Sequence, residues 1–303
     1  MQYLKQTDKF FWLFLILAII FGLSFPSFFQ SFEGVVLYII MSIMLLLFLK
    51  VDILDVVTHM KTPFTILYIC IVNLILLPII VFFLFSNVDP KLQMSLFFLA
   101  ALPTGVSSAV FTDIMKARTS LNLTIVIVSN LLAIFTIPFL FFIFYQADLN
   151  LDYAGLFKTL LLIIFIPFVL AKALKQLLKD SVIESMQSYL NFKIISLLSF
   201  MIMICISFQA DMLLSLTKAD FKNIGILFIC FFVFQLVGYF SIFWKPKGEK
   251  IACSNSCMIM NNILGIVLAL AFFDQYTLSI VILSLIPWNV MIIAKHWYKK
   301  FLP

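Results

Sequence analysis

Residues 99–113 read LAALPTGVSSAVFTD, and residues 254–262 read SNSCMIMNN. Each stretch lies inside a longer apolar run that otherwise suits a membrane-spanning helix. Proline and glycine are poor helix formers, and Ser, Thr and Asn side chains can cap a new helix. We therefore predict that both helices are interrupted partway across a membrane. Because unpaired main-chain groups are costly in hydrocarbon, such a break persists only where protein, water or a ligand faces it.

The composition around these two stretches is that of a membrane protein. Of the 303 residues, 64% are hydrophobic, 17% are aromatic and 11% are charged, and the mean hydropathy is +1.17. These values exclude a soluble enzyme, a nucleic-acid-binding module and a secreted disulfide scaffold. The sequence also contains no zinc-protease, serine-hydrolase or P-loop motif. We therefore predict no enzyme activity, no catalytic residue and no cofactor, with sodium as a candidate bound ion.

Apolar runs predict ten membrane-spanning helices. They lie at about 10–27, 33–50, 63–87, 91–117, 120–146, 154–176, 191–212, 221–244, 248–273 and 276–298. Assigning the connections alternately to two sides leaves only Lys91, Lys158, Lys218 and Lys222 opposite the amino terminus. By the positive-inside rule, both termini of this multi-pass protein are expected on the cytoplasmic side of a plasma (inner) membrane, with lipid as its surroundings.

Ten spans divide into two halves of five, residues 1–150 and 151–303. Because five is odd, the halves have opposite orientations in the bilayer, and the interrupted helices are the fourth and the ninth. Corresponding interruptions in inverted halves are typical of secondary transporters with a site near the midplane. The predicted fold class is an all-α polytopic membrane protein with two inverted five-helix repeats, in which helices 4 and 9 cross and a core domain moves against a panel domain.

The interruptions also predict the site. If the chain unwinds at Thr104 and Gly105, the first half-helix ends in carbonyls that can bind a cation, and the second begins with amides that favour an anion. Polar side chains near the breaks complete the predicted substrate and ion site. Its residues are Asn73, Thr104, Gly105, Ser107, Ser108, Thr112, Asn122, Ser254, Asn255, Ser256, Asn261 and Asn262. The cargo predicted is a small organic anion, such as a carboxylate or sulfonate. No Asp or Glu lies deep in a predicted span to carry a proton.

Three segments resemble the bile acid:sodium symporter family, within a superfamily that includes arsenite efflux carriers. They are LFLKVDILDVVTHMKTP at 47–63, IVNLILLP at 71–78 and LAALPTGVSSAVFTDIMKARTSLNLTIVIVSN at 99–130. The resemblance implies alternating-access transport of a bile-acid-like anion, with sodium as the coupling ion of a symporter.

The resemblance also implies two sodium sites. The first maps to Ser108, Ala109, Asn122 and Val126, where the family has Asn and Thr in place of Ala109 and Val126. The second includes Asn73 and the start of span nine. There the glutamate that serves both ions in the family falls on a serine, either residue 254 or residue 256. Asn73, Ser108 and Asn122 remain the candidate sodium ligands, and sodium coupling is left open.

Two other functions fit the same sequence. Cys253 and Cys257 are four residues apart and share a helix face, so a carrier of the same fold can use them to hold arsenite or a thiophilic metal. Alternatively, the chain is a membrane sensor or a lipid-modifying enzyme that has kept the scaffold without transport.

Overall fold

The computed structural model describes residues 11–50, 63–146, 151–178 and 180–302, and the regular secondary structure of this part of the chain is helical apart from one isolated β-bridge. Most of the segment 47–63 quoted above lies outside the described residues. The α-helices, in chain order, are α1 (Phe11–Ser24), α2 (Pro26–Gln30), α3 (Val36–Lys50), α4 (Pro63–Ile71), α5 (Leu77–Leu84), α6 (Pro90–Ala101), α7 (Ser107–Ile114), α8 (Thr119–Tyr145), α9 (Tyr153–Leu160), α10 (Ile166–Leu177), α11 (Asp180–Ser207), α12 (Ala210–Leu214), α13 (Lys218–Phe240), α14 (Lys247–Met258), α15 (Asn262–Phe272), α16 (Gln275–Leu283) and α17 (Leu285–Tyr298). Short π-helical turns join α4 to α5 and α9 to α10.

Packing divides the chain into two compact units. Unit 1 comprises Met1–Ile53 and Thr159–Leu216, and unit 2 comprises Leu54–Lys158 and Thr217–Pro303. In unit 1, α11 packs along α1 and α3, and α10 packs on α3. Each unit takes helices from both predicted halves, so the division reflects packing and does not test the inverted repeat, which stays a prediction.

Five helical stretches of the described chain are long and apolar enough to cross a membrane. They are Phe64–Leu84, Thr119–Tyr145, Tyr153–Leu177, Lys218–Phe240 and Gln275–Phe301. Shorter apolar helices lie at Glu33–Leu49, Phe192–Ser207 and Asn262–Phe272. Large apolar side chains on their outer faces are exposed, which suits contact with lipid. The protein is an integral membrane protein, while the count of ten spans and the side of each terminus stay predictions.

The first of two helix interruptions in unit 2 lies between α6 and α7. Helix α6 ends at Ala101, and α7 begins at Ser107. Leu102 is extended, with φ −67° and ψ 141°, because a following proline disfavours the helical conformation. Pro103 itself has no N–H with which to continue the helix.

The second interruption lies between α14 and α15. Helix α14 ends at Met258, and Ile259 is extended, with φ −98° and ψ 90°. The chain re-enters a helix through Asn261, whose side-chain oxygen accepts a hydrogen bond from the Leu264 N–H at 3.2 Å. An asparagine in this position caps a helix by pairing one of its free amides.

The two interruptions are hydrogen-bonded to each other. The Gly105 N–H donates to the Ile259 carbonyl at 2.8 Å, and the Asn261 N–H donates to the Pro103 carbonyl at 2.7 Å. Together they form the antiparallel bridge of the structure. Two N–H groups and two carbonyls that the breaks leave without helical partners are therefore paired inside the protein, as a low-dielectric environment favours.

Charged groups fix one end of this arrangement. The Arg118 guanidinium forms an ion pair with Glu249, and the Arg118 N–H donates to the Gly248 carbonyl at 3.2 Å. The Lys299 ammonium donates to the Met115 carbonyl at 3.0 Å. These bonds hold the connection after α7 against the start of α14 and the residues that follow α17.

Replacing Gly105 with alanine should destabilise the protein. A Cβ at this position would lie 2.5 Å from the Met260 carbonyl oxygen, a main-chain atom that cannot move aside without breaking the bridge. We expect a loss of about 1–3 kcal/mol, as for overpacking of a dense core, measured as a lower thermal midpoint of the purified protein. Gly225→Ala is the matched control, since nothing lies within 4 Å of its added Cβ. Equal midpoints for the two variants would contradict the close approach.

Candidate functional site

Thr104 lies at the centre of a buried polar network around the crossing. Its N–H donates to the Ser129 hydroxyl at 3.2 Å, and its carbonyl accepts from the Asn130 amide at 2.9 Å. Its hydroxyl donates to the Ser256 carbonyl at 3.0 Å and accepts from the Asn73 amide at 2.9 Å. Asn73 comes from the π-helical turn between α4 and α5, and π-turns of this kind recur at functional sites. Residues from three other parts of unit 2 therefore hold this unwound segment.

Asn130 joins the two interruptions through its side chain. Its Nδ2 donates to the carbonyls of Thr104 and Val126, and its Oδ1 accepts from the Asn261 amide at 3.0 Å. The three bonds use both N–H groups and the oxygen of one amide. Asn130 therefore fixes the positions of both breaks from α8.

A second part of the network lies beside the start of α7. The Ser108 hydroxyl donates to Asn122 Oδ1 at 2.7 Å, and the Asn122 amide donates to the Ser256 hydroxyl at 2.9 Å and to the Ala252 carbonyl at 3.0 Å. All of these side chains are buried. Because Ser256 also accepts from Thr104 through its carbonyl, the two parts form one continuous network.

Two buried amides in the site each leave one oxygen without a partner. The Asn255 amide donates to the Thr112 hydroxyl at 3.0 Å, and the Asn262 amide donates to the Ser284 hydroxyl at 2.8 Å. Among the described residues, nothing donates to Asn255 Oδ1 or to Asn262 Oδ1. Such buried acceptors are rare, and each is costly unless water or an ion satisfies it.

The structure thus brings most of the predicted site residues together. The connected set comprises Asn73, Thr104, Gly105, Ser108, Thr112, Asn122, Asn255, Ser256 and Asn261. Ser107, Ser254 and Asn262 lie outside these bonds. Ser107 is half-buried at the start of α7, and the Ser254 hydroxyl donates to the Gln235 carbonyl at 2.9 Å and accepts from the Lys295 ammonium at 2.6 Å.

The sequence reasoning missed Lys295 and gave Ser129 no special place. Lys295 was counted with the loop charges, yet only 1% of its surface is exposed. Its position within the final apolar run was the available signal. Ser129 lies about two helical turns after the predicted site residue Asn122, and this spacing was the available signal.

The donor set can offer oxygens to sodium but supplies no carboxylate. Ser108 and Asn122 are directly bonded, whereas Ala109 and Val126 are buried without a side-chain oxygen.

The cysteines proposed for arsenite, Cys253 and Cys257, are both buried in α14. The described residues contain no cluster of three or more His, Cys, Asp or Glu side chains that could hold a metal ion.

An integral membrane protein in which two helix interruptions pair within a polar, buried network has the organisation of a membrane transporter. The chain belongs to the SBF-like CPA transporter family, whose model matches residues 8–296. The resemblance to bile acid:sodium symporters is confirmed at the level of this related family. No curated protein matches the chain in sequence.

Asn130→Leu should destabilise the crossing. The substitution leaves the Thr104 carbonyl and the Asn261 amide without their partner, and each unsatisfied buried group costs about 1–3 kcal/mol. We expect a clear fall in the thermal midpoint of the purified protein. Asn289→Leu is the matched control, because within the described part of the chain the Asn289 amide donates to no group other than the Leu285 carbonyl of its own helix. A midpoint for Asn130→Leu no lower than that of the control would show that the network does not support the crossing.

Proposed function

We propose that the protein is a secondary active transporter that moves a small organic anion by alternating access. The observation that carries this proposal is the pair of interruptions that meet through Gly105 and Asn261 inside a buried polar network. A chain that only needed to span the membrane would avoid unwound backbone at this depth. The meeting point of two unwound segments is where transporters of this kind place their site.

Helix α7 offers the feature that favours an anion. Its N-cap residue, Val106, makes no side-chain capping bond, whereas α15 is capped by Asn261. The Ser108 and Ala109 N–H groups donate back to the Gly105 and Val106 carbonyls, so the positive end of the helix dipole and the Ser107 N–H are what remain to attract negative charge. Ser107 is half-buried, so a solute can reach this helix start and also find a hydroxyl. A carboxylate or sulfonate fits this environment, and the exposed apolar side chains Val110 and Ile114 on the same helix suit an amphipathic, bile-acid-like molecule.

The proposed architecture is ten spans in two inverted repeats, with both termini cytoplasmic in the plasma (inner) membrane. The two interruptions occupy corresponding places in residues 1–150 and 151–303, which supports the repeat. The Asn73 side-chain amide, in the third predicted span, donates to Thr104 of the first interrupted segment. In the eighth predicted span it is the main-chain carbonyl of Gln235 that accepts from Ser254 of α14. The division of the chain into two packed units supplies two bodies for alternating access.

Sodium is the proposed coupling ion, with Asn73, Ser108 and Asn122 as candidate ligands. Hydroxyl and amide oxygens suit a hard cation, and the unpartnered Asn255 Oδ1 adds another buried acceptor nearby. Because these groups carry no formal negative charge, binding of the ion depends on the charge of the anionic cargo. Sodium and cargo should therefore bind with positive cooperativity.

Asn73→Ala and Ser108→Ala should each reduce transport of a radiolabelled organic anion, such as cholate, into sealed liposomes. Asn73 positions Thr104, and Ser108 positions Asn122. Loss of either bond should lower initial uptake by about tenfold or more, while folded protein is retained. Ser42→Ala is the control, since that hydroxyl donates only within α3, to the Tyr38 carbonyl at 2.8 Å.

Unchanged uptake in both site variants would show that the site is misplaced. If the wild-type protein moves none of a panel of carboxylates and sulfonates under any ion gradient, the non-transporting sensor or enzyme becomes the better account.

The coupling ion can be tested by ligand-induced stabilisation of the purified protein. The rise in thermal midpoint caused by cholate should be larger in sodium chloride than in choline chloride of equal ionic strength, because ligands that bind the folded state raise its apparent stability. An equal rise in the thermal midpoint in the two salts would exclude sodium as the coupling ion. Anion transport itself would then be tested by the liposome uptake assay alone.

A further inference from the structure

Unit 2 contains a cavity of about 320 Å³ away from the crossing. Its walls come from α13, α14 and α17 and the residues after α17. Most of the lining is apolar, including Phe232, Leu236 and Met291, and the polar side chains among the lining include Gln235 and Lys295. Its volume lies at the small end of the range of ligand pockets, about 300–1,000 Å³. A polar group in such a place needs a partner.

Lys295 brings a buried amine to this cavity. Its ammonium donates to the Ser254 hydroxyl at 2.6 Å, and only 1% of the residue is exposed. No carboxylate in the described part of the chain pairs with it, since the ion pair found there joins Arg118 and Glu249. A buried cation with one neutral hydrogen-bond partner is strongly unfavourable. Burial without an anion favours the neutral amine, so a bound anion would be needed to hold Lys295 in its charged form.

Gln235 provides a second, independent indication of a ligand. Its side chain is 5% exposed, and its Oε1 accepts from the Tyr298 hydroxyl at 2.5 Å. Its Nε2, however, is buried with no acceptor among the described residues. Both N–H groups of the amide are thus unused in a residue that lines the same cavity as Lys295.

The unused donors define the chemistry of the missing group. An ammonium has three donors, of which Lys295 gives one to Ser254, and the Gln235 amide has two more. A carboxylate has two oxygens with about four acceptor positions and a single negative charge. It therefore matches the donors and neutralises the one lysine, whereas a doubly charged phosphate would leave excess charge in an apolar cavity.

We propose that this cavity binds the carboxylate of a short amphiphilic acid, with the head group between Lys295 and Gln235 and the apolar chain against Phe232, Leu236 and Met291. The site shares only Ser254 with the residues predicted from the interruptions. The inference goes beyond the proposed function, because binding here requires neither transport nor a coupling ion.

The test uses the full-length protein, purified in an uncharged detergent, with decanoate as the probe. Decanoate should raise the thermal midpoint, and decanol at the same concentration should not, because only the acid supplies a charge to Lys295. In Lys295→Met the affinity for decanoate should fall at least about tenfold, as expected for loss of a charged hydrogen bond. Lys300→Met is the matched control, since Lys300 is exposed on the same segment and does not line the cavity.

Gln235→Glu provides a second variant that does not depend on removing the lysine. The new carboxylate would supply the missing charge from within the chain, so the protein should be more stable without ligand and should no longer respond to decanoate. Three results would overturn the proposal: equal stabilisation by decanol, an unchanged response in Lys295→Met, or stabilisation by phosphatidylglycerol that prevents the decanoate response. The last of these would assign the cavity to a phospholipid.

Discussion

The structure of unit 2 depends on satisfying main-chain groups that two unwound segments expose. The hydrogen bonds from Gly105 to Ile259 and from Asn261 to Pro103 pair the two unwound segments with each other. The segments lie so close together that even a Cβ added at Gly105 would meet the opposite backbone. Asn130 then ties both segments to α8. Neither interruption could remain buried alone, so each segment stabilises the other.

This arrangement sets the electrostatics of the crossing. The surrounding groups are amides and hydroxyls, whose dipoles can face either sign of charge without the desolvation cost of a buried ion. A transporter with a fixed carboxylate holds a cation even when it carries no cargo. In the proposed mechanism the cargo would provide the balancing charge, so cooperative binding of anion and cation follows more naturally than independent binding.

The sequence indicates where α6 ends and where α15 begins because the causes are local. Pro103 removes an N–H, and Asn261 provides a cap, whatever the rest of the chain does. It did not predict that the breaks would bond to each other, because that pairing joins segments far apart in the chain and depends on packing. Lys295 was misjudged for a similar reason: a lysine near a helix end is usually solvated, and only the packed neighbours of α17 show that this one is buried.

Helix α14 connects the crossing with the cavity at Lys295. Ser256 faces the crossing, where its hydroxyl accepts from Asn122, and Ser254 faces the cavity, where its hydroxyl accepts from Lys295. Residues two apart on an α-helix, with 3.6 residues per turn, point to nearly opposite sides. One rigid helix therefore carries polar contacts on both faces, and Gly238 lets α13 approach it so closely that an added Cβ would lie 2.8 Å from the Ser254 Cα. Because both serines move with this helix, a displacement of α14 relative to α8 and α17 would change the hydrogen bonds of the crossing and those of the cavity together.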